Sequence, residues 1–319
     1  MYRIARQIYS EMQRADRVLI VPHQNPDGDS LGSSMALAEF LHTMGKDVDL
    51  YCVTPPNHRL CFLPHAHNLS QDEALFDSSD LIAILDSGDL RYAGVAHLLK
   101  KHPATIINID HHPTNELFGT LNWVLPEASS TSEMLYYFFF HNRISINQNM
   151  ATSLLTGIIT DTDNFSNPAT SAASLKVAGE LLRIGANLKL INKKVTQNKT
   201  VNLLKLWGEV FSRLNKNESL GLVYTYITRA DFERYGISDS EAEGIANFLN
   251  NLGEAKIALI LKETPDGKVK GSLRTTKDDV DVSSIAQRLS GGGHRKAAGF
   301  TTEGTIEQVL NKIMSMQIG

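Results

Sequence analysis

Three short apolar runs each end abruptly in ionisable side chains, and that pattern limits what this chain can fold into. Ile106-Ile107-Asn108-Ile109 runs into Asp110-His111-His112-Pro113. Val18-Leu19-Ile20-Val21 runs into Pro22-His23-Gln24-Asn25-Pro26-Asp27-Gly28-Asp29, and Leu81-Ile82-Ala83-Ile84-Leu85 into Asp86-Ser87-Gly88-Asp89. Short apolar runs rich in β-branched residues read as buried strands. Burying carboxylates and imidazoles is costly unless they are paired or bind metal. In an open α/β sheet, ligands bind at the carboxyl edge of the strands. All three runs deliver Asp and His to that edge, which predicts one shared site.

The rest of the N-terminal half alternates with these strands. Ile4, Ile8 and Met12 predict an amphipathic helix over 3–15. A helix from Ser30 to about Met44, with Gly45 as its cap, and a strand over 48–53 follow. Strands at 79–86 and 104–110 flank a helix near 90–100, and Asn122-Trp123-Val124 adds a short strand. Ser129-Ser130-Thr131-Ser132-Glu133 reads as a capping box for a helix over 134–140, and a helix over 150–160 ends at Asp161. Helices over 170–184 and 188–199 close this half. The expected fold is α/β: a mostly parallel, doubly wound N-terminal sheet with a smaller α/β C-terminal domain. The domains are placed at 1–190 and 205–319, with a polar linker over 191–204. In the second domain, strands are expected at 222–227, 255–261 and 269–273, and helices near 240–250, 282–289 and 304–316.

A chain of 319 residues with 42% hydrophobic and 21% charged residues has the composition of an ordinary globular protein. Its net charge of −4 supplies no broad basic field for long nucleic acid. Cys52 and Cys61 form no metal or disulfide pattern. The start lacks a signal-peptide core, and no apolar run reaches the roughly 18 residues of a membrane span, so a cytoplasmic location is expected.

Taken singly, the charged groups have bland explanations. Asn25-Pro26-Asp27-Gly28 is a turn, Asp86 before Ser-Gly is a loop cap, and His111-His112 is a structural pair. Together, His23, Asp27, Asp29, Asp86, Asp110, His111, His112 and Asp161 form an oxygen-rich set with a minority of imidazole, suited to Mn²⁺ or Mg²⁺ rather than structural zinc. One octahedral ion needs fewer ligands. Two ions sharing a bridging carboxylate use them all, with Asp86 as the natural bridge.

These motifs resemble the DHH phosphoesterase family, whose name is the tripeptide Asp110-His111-His112. His23-Gln24-Asn25-Pro26-Asp27-Gly28-Asp29, Asp86-Ser87-Gly88-Asp89 and Gly157-Ile158-Ile159-Thr160-Asp161-Thr162 look like its oligoribonuclease and adenosine bisphosphate phosphatase branch. Gly291-Gly292-Gly293-His294 resembles the DHH-associated substrate domain. The resemblance implies two Mn²⁺ ions. His23, Asp27 and Asp86 would hold one, and Asp29, Asp86, His111 and Asp161 the other. It also implies that His112 faces the substrate phosphate or attacking water, with Asp110 orienting a histidine. Arg274 and His294, with the backbone N–H groups of Gly291, Gly292 and Gly293 and a helix beginning after them, would grip a phosphate.

The implied substrates are short RNA oligonucleotides, cut to mononucleotides, and 3′-phosphoadenosine 5′-phosphate, cut to AMP. A homodimer stays open. The motifs do not separate this activity from hydrolysis of cyclic or linear di-AMP. Exopolyphosphatase is less favoured, and family II pyrophosphatase lacks its basic C-terminal motif here. A catalytically silent nucleotide-binding regulator is disfavoured because every expected ligand position is filled.

Overall fold

The computed structural model describes residues 2–100, 102–197, 199–239, 242, 245–249 and 252–316, with all side chains except those of Tyr2, Asn247 and His294. The chain divides into two compact units, Met1–Asn198 and Lys199–Gly319.

The first unit contains α1 (Tyr2–Arg14), β1 (Arg17–Pro22), α2 (Gly28–Thr43), β2 (Asp47–Leu50), β3 (Leu81–Leu85), β4 (Thr105–Asp110) and β5 (Leu121–Val124). Then come α3 (Thr131–His141), α4 (Gln148–Asp161), α5 (Ala172–Ile184) and α6 (Leu188–Ile191). Among the described residues the sheet is wholly parallel, in the order β2-β1-β3-β4-β5. That order reverses direction at β1, so a crevice opens between the ends of β1 and β3, where Pro22 and Leu85 stand in register.

Successive side chains on a strand point to opposite faces, and here both faces are buried. Val18, Ile20, Leu81, Ala83, Leu85, Ile107 and Ile109 join α1, α2, α3 and α4 in one apolar cluster. Leu19, Val21, Ile82 and Ile84 pack on the other side against Tyr51, Phe76, Ala93, Val95 and Leu99. No α-helix contributes to this second cluster among the described residues. The helix expected near 90–100 is a series of turns, and the nearest regular element is a 3₁₀ stretch, Glu73–Ser78. Leu98 and Leu99 belong to this short apolar cover.

α2 and α4 make the closest helix pair of this unit, and glycine permits it. A Cβ on Gly32 would lie 2.4 Å from the carbonyl oxygen of Ser153, and one on Gly28 would lie 2.3 Å from Oγ1 of Thr160. This pairing brings the start of α2 against the end of α4, where Asp29 and Asp161 sit.

The second unit contains α7 (Val201–Ser212), β6 (Asn215–Asn217), β7 (Leu222–Ile227), α8 (Arg229–Tyr235), α9 (Ile245–Leu249), β8 (Ile257–Glu263), β9 (Val269–Arg274), α10 (Val282–Gln287), β10 (Gly292–His294), β11 (Ala297–Thr302) and α11 (Ile306–Met314). Its mixed sheet runs β10-β11-β9-β8-β7-β6. The segment 191–204, expected as a linker, is largely helical: a π-helical turn covers Asn192–Thr196, and α7 begins at Val201. The helix expected after the triple glycine is absent. Gly292–His294 is a strand paired antiparallel with Ala297–Thr302, so those glycines build a hairpin.

Gly32→Ala is expected to destabilise the protein by roughly 1–3 kcal/mol through overpacking of α2 on α4. Urea unfolding followed by circular dichroism measures this, and an unchanged midpoint would show that the helices can separate at no cost.

Candidate metal centre

Each charged group reaches the site for a local reason. His23 follows β1, and its backbone N–H donates to Oγ of Ser30 at 3.0 Å. Asp27 is the N-cap of α2, where its Oδ1 accepts from the N–H groups of Asp29 and Ser30, both at 3.0 Å. The turn reading and the ligand reading of Asp27 are therefore compatible. Asp86 leaves β3 with φ +58°, a left-handed backbone that is uncommon outside glycine. Such conformations cluster at functional sites, where the surrounding structure imposes them.

Asp29 is anchored from a distance. Its Oδ2 accepts from Thr131 N–H at 2.6 Å and its Oδ1 from Ser132 N–H at 2.9 Å, the first turn of α3. The partial positive charge of a helix N-terminus favours an anion there. A Cβ on Gly157 would stand 2.5 Å from Oδ1 of Asp29 and 2.0 Å from Oγ of Ser132, so α4 admits the carboxylate only because residue 157 is glycine. The Ser-Thr-Ser-Glu stretch is not a reciprocal capping box: Ser130 Oγ accepts from Glu133 N–H, but the Glu133 carboxylate turns back to Ser129. Thr131 adds a hydroxyl that donates to Oδ1 of Asp86 at 3.0 Å.

The structure brings these residues together. His23 Nε2 lies 3.7 Å from Asp27 Oδ1 and 3.6 Å from Asp86 Oδ2. His111 Nε2 lies 3.6 Å from Asp86 Oδ1 and 3.3 Å from Asp161 Oδ2. Two sets of side chains, His23/Asp27/Asp86 and Asp29/His111/Asp161, each have candidate ligand atoms within 4.8 Å of one another. Asp86, His111 and His112 form a third such set. However, Nδ1 of His112 is 2.6 Å from Oδ1 of Asp110 and 3.8 Å from Asp86, so that nitrogen belongs to Asp110. Tyr92, which carries no signal in the sequence, sets its ring against His23, tilted by 33° with centroids 4.7 Å apart.

The charges in this cluster oppose one another. Burial, then the charge of Asp86, lifts the Asp29 carboxyl to about 7. Burial and Asp27 raise Asp86, and burial with Asp29 and Asp86 raises Asp161 well above the usual carboxylate range. Burial opposes charge on His23, but the nearby carboxylates of Asp27 and Asp86 prevail and hold its pKa at about 9. Buried carboxylates that raise one another's pKa, interleaved with imidazoles, suit divalent cations with oxygen-rich coordination.

In the second unit, Arg274 ends β9, donates from Nη1 to the Leu273 carbonyl at 3.0 Å, and has its pKa lowered by burial. The N–H of Gly291 is already committed to Ala286 O at 2.8 Å. A Cβ on Gly291 would meet Gly299 O at 2.2 Å, and one on Gly293, whose φ is +134°, would meet Ala297 O at 2.7 Å. Gly292 has no such neighbour. Two of the three glycines thus serve close packing of the hairpin. The side chain of His294 lies outside the described residues. Arg295 and Lys296 tie the hairpin to the preceding loop, through Asp278 O at 2.8 Å and the Asp278 carboxylate at 2.8 Å.

A family model described as the DHH family, N-terminal domain, matches residues 17–158, and the DHHA1 domain matches residues 220–316. A Thermus thermophilus protein named bifunctional oligoribonuclease and PAP phosphatase NrnA is 31% identical over 299 residues, covering 93% of this chain and 88% of its own. This chain belongs to the DHH family. The Bacillus subtilis protein of the same name is 28% identical over 293 residues, covering 89% of this chain and 88% of its own. The crystal structure of an exopolyphosphatase-related protein from Bacteroides fragilis superposes with a TM-score of 0.92 at 26% identity, over 98% of this chain and 95% of that one. The DHH fold thus carries its acidic and imidazole clusters at the strand ends, in positions that could hold metal. Among the described residues no helix is long and apolar enough to cross a membrane.

Carboxyls raised in the folded state and imidazoles raised beside them both make the folded protein bind more protons than the unfolded chain, so stability falls as pH rises. Between about pH 5 and pH 8 the metal-free protein is expected to lose stability, and Asp161→Asn to lose less. Urea midpoints in chelator measure both, and parallel pH profiles would show that Asp161 does not feel its neighbours.

Proposed function

We propose that the chain is a metal-dependent phosphoesterase that hydrolyses short oligoribonucleotides to mononucleotides and 3′-phosphoadenosine 5′-phosphate to AMP. The observation that carries this reading is the place of Asp86 between the two ligand sets, one of its oxygens 3.6 Å from His23 and the other 3.6 Å from His111. The names of the Thermus thermophilus and Bacillus subtilis relatives support the substrate class.

In this reading His23, Asp27 and Asp86 hold one divalent ion, and Asp29, Asp86, His111 and Asp161 hold a second, with Mn²⁺ favoured by the mixed oxygen and imidazole donors. Bound there, such ions supply Lewis acidity that makes an attacking water acidic near neutral pH and offsets charge on the phosphoryl oxygens. The residues of the chain do the rest. Thr131, through its hydroxyl, fixes one oxygen of Asp86. Asp110 accepts at Nδ1 of His112, so the imidazole turns its other nitrogen toward a phosphoryl oxygen or leaving group, where it donates a proton. No covalent enzyme intermediate is needed. Arg274 and His294 are the groups proposed to bind phosphate in the DHHA1 domain, with Arg274 as the charged donor, while Gly291 spends its N–H on Ala286 O and Gly291 to Gly293 shape the hairpin beside them.

The test is a panel with Mn²⁺: dinucleotides against long single-stranded RNA, and phosphate release from 3′-phosphoadenosine 5′-phosphate. Faster turnover of the short RNAs and release of phosphate are expected, with Asp86→Ala folded but inactive. Equal rates at all lengths would end the short-substrate reading, and an active Asp86→Ala would remove the shared-ligand role.

A further inference from the structure

β4 carries an amide where an aliphatic side chain would be expected. Asn108 is fully buried between Ile107 and Ile109, and alternation puts it on the same face of the sheet as Asp110. A buried amide costs stability unless its hydrogen bonds are made. Those of Asn108 are made to groups of the site: Nδ2 donates to Ser87 O at 3.2 Å and Ile84 O at 3.5 Å, and Oδ1 accepts from Nδ2 of Asn115 at 2.8 Å.

Asn115 lies in the loop after His112 and converges on the same groups. Its Nδ2 gives its second hydrogen to Asp110 Oδ2 at 2.6 Å and lies 3.2 Å from Ser87 O. Its Oδ1 accepts from Leu117 N–H at 2.8 Å, which fixes the end of the amide that faces inward. Asp110 is left with one oxygen for each neighbour, Oδ2 for Asn115 and Oδ1 for His112 Nδ1.

We propose that Asn115, backed by the buried Asn108, is a positioning residue for the reaction: it clamps the Asp110 carboxylate so that the imidazole of His112 is held in one orientation. This inference rests on the reading that His112 serves the substrate. A carboxylate on a single Cβ swings about its own bond. Held at both oxygens, it directs the imidazole without reorganising during the reaction. The contact of Asn115 with Ser87 O also links the clamp to the residue after Asp86, so one amide serves the ends of both β3 and β4.

The experiment combines kinetics and NMR. Asn115→Ala is expected to lower kcat by about 10- to 100-fold, the usual cost of removing a group that orients an active side chain, while leaving KM within a factor of about two. In a His112→Ala background the same substitution should cost nothing further, because both changes remove one function. Asn115→Asp keeps the shape but sets a carboxylate against Asp110, and should be as impaired as Asn115→Ala. In metal-free protein, the downfield Nδ1–H resonance of His112, assigned by its absence in His112→Ala, should broaden or vanish in Asn115→Ala. An unchanged resonance, additive kinetic losses, or full activity in Asn115→Asp would overturn the proposal. Because the resonance is read without substrate or metal, it decides the clamp even if the wild-type protein hydrolyses none of the substrates above.

Discussion

Like charges packed together without water repel, and the first unit is built around that repulsion. Asp29, Asp86 and Asp161 come from three separate elements: Asp86 lifts the pKa of Asp29, and both lift that of Asp161. Nothing apolar would gather them. They are held by what surrounds them: the first turn of α3 grips Asp29, the Thr131 hydroxyl holds Asp86, and the imidazoles of His23 and His111 stand between them. The arrangement is tense as it stands, and a cation would relieve it.

The helix layer serves the same end. A small-residue contact between α2 and α4 would be unremarkable as packing alone. Here it sets the distance between a carboxylate on the first turn of α2 and one on the last residue of α4. Gly157 makes the dependence explicit, since the space a methyl group would fill is taken by Asp29 and Ser132. Core packing and site chemistry are therefore the same contacts in this region.

How far the sequence revealed this depended on range. Strands such as Leu81–Leu85 and helices such as Gln148–Asp161 are written in local periodicity, and the clustering of Asp and His at strand ends followed from them. The partners of Asp29 did not, because they lie 102 and 103 residues away in a segment whose local pattern reads as a cap. Asn115 carries no local signal, because its amide matters only where the fold sets it against Asp110. Glycine is harder to interpret in the second unit for a related reason. Gly291 to Gly293 read as backbone N–H groups open to a phosphate, and close approach to β11 accounts for two of them. A glycine reports that space is short and does not say whether a ligand or another strand occupies it.

The left-handed backbone at Asp86 has an evolutionary corollary. Glycine, asparagine and aspartate enter that region most readily. Glycine has no side chain to offer, and asparagine has no charge. The geometry of the peptide at the end of β3 thus favours three letters at this position, and only one of them offers an anion. A lineage drifting away from catalysis would be expected to show it here first, as glycine or asparagine, with the rest of the sheet undisturbed.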